Sequence, residues 1–176
     1  MIYGPKEDSF MLEKAVKKYS KNKSFLDMGS GSGIQASSAL KAGASSVLAA
    51  DIDKTVIAGL KQQGIDAVQS DLFSNIKSRF DVIAFNPPYL PEDKREDRES
   101  ARATTGGKKG DVIILKFLRQ AKSHLNKEGI ILLVISSLTP KEAILELLEK
   151  QKLAYKVILK ESFSFETLEV WKIKIQ

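Results

Sequence analysis

The chain has no cysteine among its 176 residues, which excludes disulfides and thiolate metal centres. It has one histidine, His124, which argues against a histidine-built metal site as well. No apolar run approaches the roughly 20 residues that cross a bilayer. The most apolar stretch, residues 130–135, has the length of a strand. No signal-peptide pattern opens the chain, so a cytoplasmic protein is expected. There is no internal repeat, low-complexity tract or linker. The length therefore fits one domain, residues 1–176, with room for a sizeable core.

What is present is ordinary in bulk. Apolar residues make up 43% and charged residues 28%, as in a soluble globular protein. The net charge is +6 and the pI is about 9.4, so the surface attracts nucleic acid or particles built on it. Much of the excess is scattered lysine, as at Lys14, Lys17, Lys18, Lys21 and Lys23, and fits a solvated helix face.

Strand-like and helix-like runs alternate. Helices are expected over residues 8–19, from Gly33 to about Ala42, and over 54–63, 111–126 and 141–151. Strands are expected over 24–28, 47–50, 65–69, 81–85 and 129–135. Two further β-like runs, 154–163 and 168–175, have no helix between them and should pair as a hairpin. Alternation of this kind argues for an open parallel sheet with helices on both faces. The closing hairpin adds one antiparallel strand. Residues 90–110 form the only long irregular stretch; it is mixed in charge and suits either a lid or a solvated charged helix.

The chemistry sits at the ends of the expected strands. Asp27-Met28-Gly29-Ser30-Gly31-Ser32-Gly33 lies between a strand and a helix. Glycines there let the backbone turn tightly and approach a ligand. The spacing is G-x-G-x-G, not the G-x-G-x-x-G that seats a dinucleotide pyrophosphate. Asp27 would repel a pyrophosphate but welcome an amino-acid ammonium. Asp51 follows the second strand, where an acid binds ribose hydroxyls, and Asp71 follows the third, where it can accept from an adenine amino group. Each acid alone is equally a helix cap or a turn residue. As a set at strand ends, they fit S-adenosylmethionine.

The stretch Asp81-Val82-Ile83-Ala84-Phe85 reads as a buried strand, and Asn86-Pro87-Pro88-Tyr89 follows at its carboxyl end. Two prolines fix φ twice and remove two donors, and Pro87 pushes Asn86 towards an extended shape. The result presents an amide oxygen, bare carbonyls and a ring. That combination can hold a planar NH2 group, and it resembles the signature of amino-methyltransferases. Asn86, Pro87 and Tyr89 are the candidate catalytic residues.

Taken together, the motifs resemble those of HemK-type protein-glutamine methyltransferases over nearly the whole chain. The matching segments are Tyr3-x-Pro5-x-Glu7-Asp8-Ser9-Phe10, the glycine segment, Ser70-Asp71-Leu72-Phe73, Asn86-Pro87-Pro88-Tyr89-Leu90-Pro91 and Gly106-Gly107-x-x-Gly110. The first points to the archaeal and eukaryotic branch. The resemblance implies a seven-stranded Rossmann-like methyltransferase fold. It also implies cofactor contacts from Tyr3, Pro5, Glu7, Asp8, Ser9, Asp27, Gly29, Gly31, Gly33, Asp51, Ile52, Asp71, Leu72 and Asn86. The implied substrate is the glutamine of the Gly-Gly-Gln motif in a class I translation termination factor, often presented with its GTPase partner. The implied partner is a small zinc-binding activator subunit beside the third strand, with Ile65 first and Gln69 last. Histone lysine acceptors in that branch leave the substrate range open. Ala103-Thr104-Thr105 stands where eukaryotic relatives carry a tryptophan, so loop contacts do not transfer.

Two other readings use the same residues. Asn-Pro-Pro-Tyr serves adenine N6 in RNA or DNA equally well, although the chain has no room for a target-recognition domain to hold a flipped base. A non-catalytic, cofactor-binding scaffold for translation factors is the reading from another class. A nicotinamide dehydrogenase ranks below both. His124, at an expected helix end away from every strand-end motif, is left to the surface.

Overall fold

The computed structural model describes residues 6–88 and 110–176. Seven strands form one sheet: β1 (Ser24–Met28), β2 (Ser46–Asp51), β3 (Ala67–Gln69), β4 (Phe80–Phe85), β5 (Leu125–Ser136), β6 (Leu153–Ser162) and β7 (Thr167–Ile175). Among the described residues, five α-helices accompany them: α1 (Glu7–Tyr19), α2 (Ile34–Lys41), α3 (Lys54–Gln62), α4 (Val112–Ala121) and α5 (Glu142–Lys150). The strand order is β3-β2-β1-β4-β5-β7-β6. β1 to β5 are parallel neighbours, and β7 runs antiparallel to both β5 and β6. This is the expected class I methyltransferase layout, an α/β sheet with a closing hairpin.

Alternation along the strands divides the core. Phe25, Val82, Ala84, Leu132 and Val134 pack with Met11, Leu12, Val16, Ala36 and Leu60 of the first three helices. Leu26, Ile83, Phe85, Ile131 and Leu133 face the other way, onto Ile114, Phe117, Leu118, Ile144 and Leu148 of α4 and α5. Both faces of the sheet are thus covered, which is why the central strands read as continuous apolar runs. α1 carries Glu7 and Asp8 in its first turn and Lys17 and Lys18 in its last, matching its dipole.

Two expectations need correction. The helix expected to reach Asn126 ends at Ala121, and one 3-10 turn, Lys122–His124, leads directly into β5. Leu125 keeps helical spacing from Ala121 but instead pairs with Phe80 of β4. Asn126 donates to Asp81 Oδ1 at 2.8 Å. Asp81 Oδ2 accepts from Ser24 N at 2.9 Å and from Ser24 Oγ at 3.0 Å, so one carboxylate clasps the amino ends of three strands. Burial opposes the charge on Asp81, but the bonds from Asn126 and Ser24 outweigh it and hold the carboxyl below its ordinary range. The second correction is the third strand, which starts at Ala67 rather than Ile65. The Ile65 amide closes the end of α3 on Leu60 O at 3.0 Å and is lost to the ladder.

Candidate active site

The parallel strands deliver their motifs to one edge of the sheet. Connections from β1 lead away towards β2 and β3, while β4 lies on its other side. The crevice at such a switch point is where ligands bind in open α/β sheets. The glycine turn leaves β1 on one side of it and Asn86 leaves β4 on the other.

Gly29, Gly31 and Gly33 all have positive φ, at 63°, 48° and 78°. A Cβ on Gly33 would lie 2.4 Å from Leu60 Cδ2, so this glycine lets the loop close onto α3. Gly31 differs, because among the described residues the space where its Cβ would stand is open for 4 Å. Its amide donates to Asp51 Oδ2 at 3.0 Å, and Asp53 N donates to Asp51 Oδ1 at 2.9 Å. Two backbone donors therefore fix the orientation of the Asp51 carboxylate. The open side of Gly31 leaves room for a ligand to approach the backbone. Ile52, next in sequence, leaves an apolar side chain 62% exposed beside this acid.

Asp27 is placed differently from Asp51. It is 2% exposed, and its Oδ2 accepts from the Ala36 amide at 3.0 Å. It thereby caps α2, whose first flanking residue is Gly33 and has no side chain to do so. Burial pushes the Asp27 carboxyl well above the usual carboxylate range, the Ala36 amide opposes this, and the charge of Asp51 adds to it. An ammonium brought to this acid would relieve both unfavourable effects.

The turn after β3 holds Asp71 at the surface, and its amide donates to Ser74 Oγ at 3.1 Å. Leu72 sits at φ 49°, in the left-handed region, which costs a branched residue about 1 kcal/mol or more. Ser70 Oγ holds this shape by donating to Leu72 O at 2.7 Å and accepting from Asn75 N at 3.0 Å. Ser70 N in turn donates to Asp51 O at 2.9 Å, joining the two acid-bearing turns.

Asn86 Oδ1 is buried and, among the described residues, has no hydrogen-bond partner. A buried amide oxygen left unpaired costs about 1–3 kcal/mol, so its retention at a strand end marks an acceptor waiting for a donor. Pro87, which is buried, and Pro88, which is half-buried, follow it.

At the amino end of α1, Asp8 and Ser9 are buried, and Glu7 is exposed. Ser9 N donates to Asp8 Oδ1 at 2.6 Å. The Ser9 carbonyl accepts from Gln35 Nε2 at 2.8 Å, tying the start of α1 to the start of α2 just past the glycines. Tyr3, Pro5, Tyr89, Leu90, Pro91, Gly106 and Gly107 lie outside the described residues, as does nearly all of the irregular stretch. His124 stacks on Phe73, with ring centroids 4.4 Å apart, at the amino end of β5 and so away from this edge.

Two residues here carry no sequence signal. Gln35 is a lone amide inside a helix, yet it is 4% exposed and its Oε1 has no partner among the described residues. Ser30 occupies a variable position of the glycine motif, yet its hydroxyl donates within reach of two carbonyls, Asp27 O at 2.8 Å and Ala50 O at 3.1 Å.

Comparison with known proteins agrees with this geometry. The family profile described as methyltransferase small domain matches residues 7–169. A Methanocaldococcus jannaschii chain assigned as a protein N5-glutamine methyltransferase is 33% identical, over 98% of this chain and 92% of its own. The eRF1 methyltransferase catalytic subunit mtq2 of Schizosaccharomyces pombe is 28% identical, over 98% of this chain and 88% of its own. Among solved structures, the Mtq2 chain of the E. cuniculi Mtq2–Trm112 complex, which methylates the eRF1 termination factor, superposes with a TM-score of 0.80. That likeness covers 99% of this chain and 98% of the other at 24% identity, and it concerns the fold. With a family profile matched over residues 7–169, almost the whole sequence, the chain belongs to the methyltransferase small domain family and is an enzyme.

Proposed function

We propose that the chain uses S-adenosylmethionine to methylate the side-chain nitrogen of the glutamine in the Gly-Gly-Gln motif of a class I translation termination factor. The observation that carries this reading is the buried, unpaired Asn86 Oδ1 at the end of β4. Its sequence context supports it, as does the likeness to relatives whose names specify glutamine and eRF1 as targets.

The residues present fit the cofactor. Asp51 is oriented for ribose hydroxyls, Gly31 leaves room for the nucleoside, Ile52 offers an apolar wall to the adenine, and Asp71 can accept from its amino group. Asp27 suits the ammonium. Glu7, Asp8 and Ser9, with Tyr3 and Pro5, would close the amino-acid end, and Leu72 carries the backbone beside the base. When bound, S-adenosylmethionine supplies an electrophilic methyl on a sulfonium.

Asn86 Oδ1 and the Pro87 carbonyl accept the two amide hydrogens of the substrate, and Tyr89 packs on the amide plane. An amide nitrogen is a weak nucleophile because its lone pair is delocalised. Two acceptors on its hydrogens raise its electron density, and fixed orientation contributes several kcal/mol, on the order of 7 or more in well-aligned cases. With the cofactor bound, the lone pair held by these acceptors would attack the sulfonium methyl in line, the new N–C bond forming as the S–C bond breaks and the neutral thioether leaves, and the amide proton would pass to solvent afterwards, so no general base is required of this chain.

A small zinc-binding activator would dock along β3, which is at one edge of the sheet. An open hollow of about 510 Å³ lies there, lined by Leu48, Lys61, Gly64, Ile65, Asp66 and Ala67. An added strand would pair the edge and cover the hollow.

The test is to co-express the chain with a candidate activator and incubate the complex with S-adenosylmethionine and a termination factor, with or without its GTPase partner. Mass spectrometry should locate one added methyl on the Gly-Gly-Gln glutamine. Methylation of adenine in tRNA, rRNA or DNA with none on the factor would overturn the substrate. Asn86→Ala methylating at the wild-type rate would sink the mechanism.

A further inference from the structure

Phe165, at the tip of the β6–β7 hairpin, is 93% exposed, with Phe163 at 36% and Leu138 at 45% beside it. The tip is not loosely attached. Phe163 N donates to Glu166 O at 2.7 Å, closing the turn, and Ser137 N donates to Thr167 O at 2.8 Å. Ser136 Oγ donates to Glu166 Oε2 at 2.6 Å, Leu138 N donates to the same Ser136 Oγ at 3.1 Å, and Thr167 N donates to Ser137 Oγ at 2.9 Å. These bonds weld the hairpin tip to the loop after β5 and bring Leu138 next to it. An exposed aromatic carried on a backbone already fixed costs less entropy to bind than one on a loose loop, which is how interface anchors work.

The position of the tip decides what it meets. Ser136 pairs with Leu168, so the antiparallel β7 begins where the parallel strands end. The tip therefore stands on the same edge as Asn86. β7 is two strands from β4, a step of roughly 10 Å at the usual strand spacing. The other half of this edge, over β1, β2 and β3, carries the glycine turn, Asp51 and Asp71. A folded protein that inserts one glutamine at Asn86 can rest part of its body on the β5–β7 side of this edge.

We propose that Phe165, with Phe163 and Leu138, is a docking anchor for the body of the protein substrate, outside the methylated glutamine loop. This rests on the termination-factor reading above and specifies how that substrate is held. The anchor acts on binding and not on the transfer step.

The test uses the chain with its activator, an intact termination factor as substrate, and Phe165→Ala. The KM for the factor should rise about tenfold while kcat, the KM for S-adenosylmethionine, the melting temperature and activator binding stay at wild-type values. Phe165→Leu should recover part of the loss. An unchanged KM in Phe165→Ala would overturn the anchor while leaving the substrate reading intact. A wild-type enzyme that does not methylate the factor overturns that reading, and the anchor with it, before any variant is compared. If Phe165→Ala instead abolishes self-association or activator binding with the KM unmoved, the tip serves a different occupant and the proposal fails.

Discussion

Asp27 Oδ2 accepts the Ala36 amide at 3.0 Å, so an acid at the end of β1 caps a helix that begins beyond the glycine turn. This bond links the strand to α2 across the loop that would hold the cofactor. Because the acid is buried, its carboxyl stands well above the ordinary value of 3.8. A raised folded value means that its contribution to stability is fully present below the unfolded value and is lost as pH rises through the folded one. Stability of wild type relative to Asp27→Asn should therefore fall as pH rises above about 4, read by urea denaturation across pH. Asp27→Ala, which removes the cap, should cost about 1–2 kcal/mol. Saturating S-adenosylmethionine should flatten the wild-type pH dependence.

The glycines should separate into two classes. Gly33→Ala places a Cβ 2.4 Å from Leu60 Cδ2 at φ 78° and should lower stability by about 1–3 kcal/mol. Gly31→Ala meets no neighbour within 4 Å, so only its backbone strain, about 1 kcal/mol, should appear. Its loss of cofactor affinity should be the larger effect, tenfold or more by estimate, because the new methyl fills that open space. Thermal melts and calorimetric titration with S-adenosylmethionine would compare the two directly.

Ile52 gives a separate reading of the adenine wall. At 62% exposure its replacement should leave stability within about 0.5 kcal/mol. Covering a half-exposed isoleucine is worth roughly 1–2 kcal/mol, so Ile52→Ser should weaken S-adenosylmethionine binding about fivefold to thirtyfold. Calorimetric titration checks this, and unchanged affinity would remove Ile52 from the site.

Glu169 predicts the opposite pH trend from Asp27. Burial would raise its carboxyl, but Trp171 Nε1–H, Lys141 and Lys160 outweigh that and hold it at about 2. The bonds are 2.8 Å from Trp171, 2.9 Å from Lys141 and 3.2 Å from Lys160. A depressed value gives stability that is present above 4.5 and is lost as pH falls towards about 2. Glu169→Gln should cost about 1–3 kcal/mol at pH 7, and the gap to wild type should narrow at pH 3. Denaturation at the two pH values tests the sign.

Much of this protein was legible in one dimension. β1 was expected at the residues where it stands, and β2, β4 and both hairpin strands within a residue or two at either end, because each run is apolar, short and bounded by turn residues. The helix expected through Asn126 overran because Leu125 continues the spacing of Ala121 and Phe117, and only its pairing with Phe80 makes it a strand residue. Ile65 looked like strand because it is β-branched and buried, whereas its amide is used to end α3. At the site, the acids and the glycine turn were visible as types at strand ends. The division between Asp51, held by two amides, and Asp27, buried as a cap, was not visible, since both are aspartates at the carboxyl end of a strand.

By itself, the sequence determined the alternation of strands and helices, the glycine turn and the Asn86-Pro87-Pro88 hook, since each depends on residues within a few positions of one another. Tertiary structure alone decided the strand order, the unpaired state of Asn86 Oδ1, the bond from Ala36 to Asp27, and the arrival of the Phe165 tip on the edge that carries Asn86. The physical reason is range. Periodicity and turn chemistry act through neighbouring residues, whereas burial of an amide oxygen and the direction of β7 depend on strands brought together from distant parts of the chain.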